Sequence, residues 1–191
     1  MLGPLIVRTG DRLFTSATSR LHRLGLRPFT ANVLEVAMGI LAASLFASGM
    51  RLAGLVALIL HGGFDYLDGA LARAGAAGSS ITRHALTDKL SEAIIFTGPA
   101  FGGLIPFWLS LAVIAAAFGA TWLGLHGPKK TARREQAVFD RSDRLLSLIL
   151  LGLFADLSLG AWTNLAMALA VCGQRLRARP PAVPTQARQA A

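Results

Sequence analysis

One stretch of the chain, residues 93–127, contains no Asp, Glu, Lys or Arg, and it limits the possible folds more than any other feature. A soluble domain rarely leaves so many consecutive residues without charge, because its helices and strands must present polar side chains to water. The remaining apolar residues also come in long blocks, in a chain of 191 residues that is 53% hydrophobic and 15% charged. This distribution predicts an all-α integral membrane protein.

The apolar blocks predict six transmembrane helices. A helix needs about 20 apolar residues to cross a bilayer, since each residue adds about 1.5 Å along the axis. Four blocks meet this length, and a shorter apolar region predicts a hairpin of two helices that begin below the membrane or are tilted. The four blocks are residues 31–50, 52–71, 81–101 and 107–125, and the hairpin falls within 145–175.

Two terminal segments flank this membrane domain, which we place at residues 29–176. Residues 1–28 mix apolar residues with arginines and predict an amphipathic helix lying on the membrane surface, with an ordinary packed surface helix as the alternative. Residues 177–191 are rich in Arg, Pro, Ala and Gln and predict a disordered basic tail.

The formal net charge of +9 comes from basic residues that are concentrated in a few segments, which we expect to lie on one side of the membrane. Almost all Lys and Arg lie in the N-terminal segment, residues 73–89, residues 129–144 and the tail, while the opposite turns carry only Arg51. By the positive-inside rule, this distribution predicts that the protein lies in the cytoplasmic membrane with both of its termini facing the cytoplasm. Nucleic acid is not predicted as a partner, because the basic residues flank apolar segments without interleaved aromatics and instead suit anionic lipid headgroups.

Ionisable side chains interrupt the apolar pattern between residues 61 and 92. Such groups are costly at the edge of a bilayer, so a functional role is the first interpretation. Asp65 and Asp68 lie one helical turn apart, and a second predicted helix carries His84, Asp88 and Glu92 at intervals of four. Two antiparallel helices that face each other with these columns predict a group of oxygen ligands for a hard divalent cation.

The string DYLDGALAR at residues 65–73 resembles the opening of the signature of the CDP-alcohol phosphatidyltransferase family. The second half of that signature, a glycine followed by two aspartates four residues apart, fits in two registers. In the first, which we prefer, Asp88 is the fourth acid and His84 stands at the third position. In the second, Asp88 is the third acid, Glu92 is the fourth and His84 stands at the glycine position. Each register alters one acidic position.

The resemblance implies an enzyme that transfers a phosphatidyl group from CDP-diacylglycerol to an alcohol and releases CMP, with Mg²⁺ or Mn²⁺ as cofactor. It implies metal ligands at Asp65, Asp68, His84 and Asp88, with Asp88 also the catalytic base, and nucleotide binding by Gly69, Ala72 and Arg73. Imidazole at His84 admits other divalent metals. Glu92 is the alternative acid. Members of the family often form homodimers, which this sequence neither supports nor excludes.

Basic residues before the predicted hairpin indicate the acceptor. Lys130 and Arg133 lie in a KTAR run, and Arg141 and Arg144 form an Arg-x-x-Arg pair. These resemble runs in family members that use phosphorylated acceptors, and paired guanidinium groups suit a phosphate. Glycerol 3-phosphate and inositol phosphate are therefore the leading acceptors, while the alternative role of these residues is to anchor the loop at the cytoplasmic face.

Two other classes of function are alternatives to the enzyme. The first is a catalytically degenerate relative that binds lipid or a partner protein without turnover. The second is a small proton-coupled transporter, which the clustering of the acids at one face disfavours.

Overall fold

The computed structural model describes residues 28–73, 81–126 and 138–177, and within these ranges the chain forms only helices. Their bounds follow the apolar blocks of the sequence closely. The predicted N-terminal amphipathic helix and the predicted C-terminal tail lie outside the described residues. The six helices of the described ranges are α1 Pro28–Ala47, α2 Arg51–Arg73, α3 Ile81–Phe101, α4 Phe107–His126, α5 Arg141–Phe154 and α6 Leu157–Arg177.

Helix α1 organises the packing, because it lies against both α2 and α3. Helix α6 packs on α4 and α5, while α3 contacts α4 and α2 contacts α5. Among the described residues, α2 and α3 make no extended contact with each other. The two helices therefore do not pack along their lengths as predicted, because α1 packs on both of them, although acidic side chains of the two helices meet at one end.

Small residues allow α1 and α3 to approach closely. A Cβ atom at Gly98 of α3 would overlap the backbone of Ala43 in α1. On the same side of α1, a Cβ at Gly39 would lie 3.4 Å from the His61 ring of α2. Close approach at small residues is a common way to pack helices in membranes, where apolar side chains gain little by leaving lipid.

Polar and apolar side chains are distributed as in a membrane protein. Large apolar residues such as Ile40, Val56, Leu111 and Leu169 point outwards and are exposed. In contrast, several ionisable and amide side chains are buried, among them those of Glu35, His61, Asp68, Lys89, Glu92, Arg144 and Asn164. Two of the described helices, Pro28–Ala47 and the first 18 residues of α4, are long and apolar enough to cross a bilayer.

The two ends of the helical bundle differ in chemistry. One end carries aromatic side chains, and the rings of Trp108 and Trp162 meet edge to face with their centroids 5.3 Å apart. At this end Arg51 donates from Nε to the carbonyl oxygen of Gly152, 2.9 Å away, in the last turn of α5. The opposite end holds the start of α1, the end of α2 and the starts of α3 and α5, and the ionisable cluster lies there.

Candidate active site

Three helices each contribute one carboxylate to a single group. Glu35 comes from α1, Asp65 from α2 and Asp88 from α3, and one oxygen of each lies within 4.8 Å of the other two. The side chain of Glu35 is completely buried, and those of Asp65 and Asp88 are 20% and 17% exposed. We call this set the three-carboxylate group.

The guanidinium of Arg141 lies between these carboxylates. Its Nη1 is 2.8 Å from Oδ1 of Asp65 and 2.8 Å from Oδ1 of Asp88, and its Nη2 donates to Oε1 of Glu35 at 2.7 Å. Arg141 is the first residue of α5, and the backbone N–H of Asp140 donates to Oδ2 of Asp143 at 3.1 Å. The start of α5 therefore brings both a guanidinium and the positive end of a helix dipole to the carboxylates.

His61 joins the group from the turn of α2 that precedes Asp65. Its Nδ1 lies 2.9 Å from the backbone carbonyl oxygen of Glu35, which can only accept, so Nδ1 carries the proton. Its Nε2 lies 3.2 Å from Nη2 of Arg141 and therefore faces the group with a lone pair. The imidazole is 1% exposed, and its hydrogen bond to Glu35 links α2 to α1 inside the protein.

A second buried ionic cluster lies one turn further along α3. Glu92 forms ion pairs with Lys89 and with Arg144 of α5, whose Nη1 is 2.6 Å from Oε1. The amide of Asn164 in α6 donates to the carbonyl oxygen of Arg144 at 3.0 Å. Glu92 is thus engaged by two cations and lies outside the three-carboxylate group.

The structure places the predicted site residues in three ways. Asp65 and Asp88 meet in the three-carboxylate group, while Asp68 is buried one turn beyond Asp65, next to the half-buried Gly69. Of the predicted acceptor residues, Arg141 pairs with the carboxylates and Arg144 with Glu92. The rest are not described at the level of side chains: Ala72, Arg73 and His84 lie on α2 and α3 with only their backbone described, and Lys130 and Arg133 lie outside the described residues.

No role was predicted for Glu35 from the sequence, and His61, one turn before Asp65, was open to a place in the site or to a structural role. A signal for Glu35 was present, because an acid within an apolar span is costly unless another group compensates it. The spacing along the chain could not reveal its partners, since Glu35 and Arg141 are 106 residues apart.

A cavity of about 210 Å³ opens beside the three-carboxylate group. Four cationic side chains and two carboxylates line it, with apolar walls from α4 and α6. The charged residues are Lys89, Arg141, Arg144, Arg175, Asp88 and Asp140. Because Asp88 and Arg141 belong to both the cavity and the three-carboxylate group, a molecule bound in the cavity would lie directly beside the carboxylates.

The three-carboxylate group fits a divalent metal ion. Carboxylate oxygens are the ligands that Mg²⁺ and Mn²⁺ prefer, and converging oxygens from separate helices form a preorganised site. When all three carboxylates are ionised, they and the guanidinium carry two net negative charges, which is the charge that one divalent cation neutralises. Glu35, Asp65 and Asp88 can therefore hold such an ion.

Comparisons with known proteins identify relatives over most of the chain. No protein-family model matches. The chain is 25% identical to the phosphatidylinositol phosphate synthase of Mycobacteroides abscessus, an alignment that covers 93% of this chain and 88% of that protein.

Solved structures agree with this relationship. The crystal structure of Mycobacterium tuberculosis phosphatidylinositol phosphate synthase with CDP-DAG bound has a TM-score of 0.69 at 23% identity, covering 86% of this chain and 92% of the other. The same enzyme in complex with manganese and citrate has a TM-score of 0.68 at 23% identity, covering 85% of this chain and 86% of the other. The chain thus has the fold of phosphatidylinositol phosphate synthases, and this similarity agrees with the resemblance of its residues 65–73 to the CDP-alcohol phosphatidyltransferase family.

Proposed function

We propose that the protein is a metal-dependent CDP-alcohol phosphatidyltransferase that moves a phosphatidyl group from CDP-diacylglycerol to a phosphorylated alcohol and releases CMP. The observation that carries this proposal is the meeting of Asp65 and Asp88, from two separate helices, beside a cavity lined by four cations. The related enzyme with the same fold supports it, because one of its crystal structures contains CDP-DAG and another contains manganese.

The end of α2 binds the nucleotide in this proposal. Asp65 and Asp68 hold the divalent metal together with Asp88, and His84 stands at the remaining position of the signature. The metal, when bound, offsets the negative charge of the diphosphate. Gly69, Ala72 and Arg73 match positions that receive the CDP group in the family, where a glycine allows close approach of the backbone and an arginine suits the diphosphate.

Asp88 acts as the base in the transfer step. It accepts the proton of the acceptor hydroxyl, whose oxygen forms a bond to the β-phosphorus of CDP-diacylglycerol. The bond between the β-phosphorus and the oxygen that bridges it to the α-phosphorus breaks, and CMP leaves with the electron pair of that bond. Asp88 suits this role because it faces both the carboxylates of the metal site and the cavity.

The cavity receives the acceptor. A phosphate monoester carries about two negative charges near neutral pH, and the excess of cations over carboxylates on the cavity wall favours it. Arg141, Arg144 and Arg175 would contact this phosphate, and the resemblance to the family adds Lys130 and Arg133 to the residues that bind it. Inositol phosphate is supported by the relatives, which are phosphatidylinositol phosphate synthases, and glycerol 3-phosphate remains the second candidate.

The proposed arrangement in the membrane has all six described helices crossing the bilayer, with both termini and the ionisable end of the bundle cytoplasmic. The aromatic end, with Trp108 and Trp162, then lies at the opposite interface, where such rings are enriched. CMP and a phosphorylated acceptor are water-soluble, so a cytoplasmic site gives them direct access while the lipid substrate enters from the bilayer.

The test is release of CMP by the purified full-length protein in detergent with CDP-diacylglycerol, Mn²⁺ or Mg²⁺ and, separately, inositol phosphate or glycerol 3-phosphate. We expect metal-dependent CMP release with one of these acceptors. Release with neither acceptor under either metal would overturn the proposal and favour a degenerate member of the family that binds without turnover.

A further inference from the structure

We propose that Glu35 is a ligand of the divalent metal and takes the place of the acid that the CDP-alcohol phosphatidyltransferase signature has where this chain carries His84. This inference rests on the metal dependence proposed above. It concerns a residue of α1, a helix that lies outside the signature.

The position of Glu35 is the first argument. Its carboxylate is completely buried, and it has an oxygen within 4.8 Å of oxygens of Asp65 and Asp88. The distance allows all three oxygens to contact one ion, because ligands of a metal at 2.0 to 2.6 Å are separated by at most about 5 Å. Glu35 thus adds a fourth acid to a chain whose signature, in the preferred register, retains only three: Asp65, Asp68 and Asp88.

The surroundings of Glu35 give an independent argument for a cation at this point. The guanidinium of Arg141 is within 2.8 Å of all three carboxylates, and when these are all ionised it offsets only one of their three charges. The buried imidazole of His61 also faces the same place with Nε2, 3.9 Å from Oε1 of Glu35, because its Nδ1 is engaged by the backbone of Glu35. Oxygens of three carboxylates and the Nε2 atom of His61, which accepts from Nη2 of Arg141, therefore converge at one place.

The packing of α1 explains how a residue outside the signature reaches the site. Gly98 lets α3 approach the backbone of α1, and Gly39 leaves room for the ring of His61. His61 then binds the carbonyl oxygen of Glu35 and fixes the register between α1 and α2. A ligand held through a hydrogen-bonded neighbour in this way is preorganised for a metal.

Manganese affinity tests the inference without measuring turnover. The free Mn²⁺ signal in electron paramagnetic resonance reports binding to the purified full-length protein. We expect Glu35→Gln and Asp65→Asn each to weaken Mn²⁺ binding by about tenfold or more, with partial recovery in Glu35→Asp. The control Asp156→Asn removes an exposed carboxylate at the opposite end of the bundle and should bind Mn²⁺ as the unmodified protein does.

The possible outcomes separate this inference from the proposed function. Wild-type affinity in Glu35→Gln, together with weakened binding in Asp65→Asn, would overturn the role of Glu35 and leave the metal-dependent transferase intact. Loss of affinity in His84→Gln but not in Glu35→Gln would also overturn it and return the third position to His84. If the unmodified protein binds no Mn²⁺, the metal dependence fails and the inference fails with it. Melting temperature and elution volume show that each variant is folded.

Discussion

Arg141 and Asp65 form an ion pair at 2.8 Å although 76 residues separate them in the chain. The pair joins the start of α5 to the end of α2, and the same guanidinium also binds Glu35 and Asp88. One side chain therefore balances charge from three helices. Because the same carboxylates can hold a divalent metal ion, we expect the stability of this end of the bundle to depend on both Arg141 and the metal.

Replacement of Arg141 by glutamine should make the protein depend on a metal for stability. The change leaves three carboxylates without their cation, so we expect the free energy of unfolding in EDTA to fall on the order of 3 kcal/mol. Addition of Mn²⁺ should then raise the melting temperature of Arg141→Gln more than that of the unmodified protein. Thermal denaturation in detergent, with and without Mn²⁺, measures both effects.

Arg51→Gln is the matched control for this experiment. It makes the same substitution at the opposite end of the bundle, where Arg51 donates to backbone carbonyl oxygens of Gly152 and Ala155. Its melting temperature should fall, but Mn²⁺ should shift it as much as it shifts the unmodified protein. An equal Mn²⁺ shift in Arg141→Gln would contradict the placement of the metal among the three carboxylates.

Asp88→Asn and Glu92→Gln should have different kinetic effects. Asp88→Asn removes the proposed base, so kcat should fall by about 100-fold or more. Glu92→Gln removes the partner of Lys89 and Arg144, which line the cavity, so the KM for the acceptor should rise while kcat is less affected. Steady-state CMP release over a range of acceptor concentrations measures both constants. The reverse result, with kcat lost only in Glu92→Gln, would support the second register of the signature.

Arg175 should contribute to binding of the acceptor phosphate. Its guanidinium lines the cavity on the side of α6, so Arg175→Gln should raise the KM for the acceptor by about tenfold or more and leave the KM for CDP-diacylglycerol unchanged. The control is Arg177→Gln, an exposed position two residues further along the same helix. Equal changes in both KM values in Arg175→Gln would show that the cavity does not distinguish the acceptor from the lipid substrate.

A methyl group at Gly98 should disturb the contact between α1 and α3. Gly98→Ala places a Cβ against the backbone of Ala43, and we expect a loss of about 1 to 3 kcal/mol in the free energy of unfolding. Gly173→Ala is the comparison, because a Cβ at that position of α6 meets no atom within 4 Å. That variant should be as stable as the unmodified protein or slightly more stable. Chemical denaturation of both variants in detergent checks the difference, and equal stabilities would argue against this contact.

The helices and half of the candidate site follow from the sequence alone. Helix bounds depend mainly on the length of apolar blocks and on the turns that separate them, which are local properties, so α3 begins and ends at the predicted residues 81 and 101. Asp65 and Asp68 are likewise assigned to one helix by local spacing, and their motif by itself resembles that of the CDP-alcohol phosphatidyltransferase family. The physical reason is that one turn of a helix determines which side chains share a face.

Only the tertiary structure decided which side chains complete the site. The sequence pattern predicted direct facing of α2 and α3, whereas α1 packs on both of them and brings Glu35 to Asp65 and Asp88. Binding of the acceptor phosphate by Arg141 stays a prediction, while the structure places this side chain among the carboxylates. These neighbours depend on how closely whole helices approach at residues such as Gly98 and Ala43, and such contacts between distant segments leave no periodic pattern in the sequence.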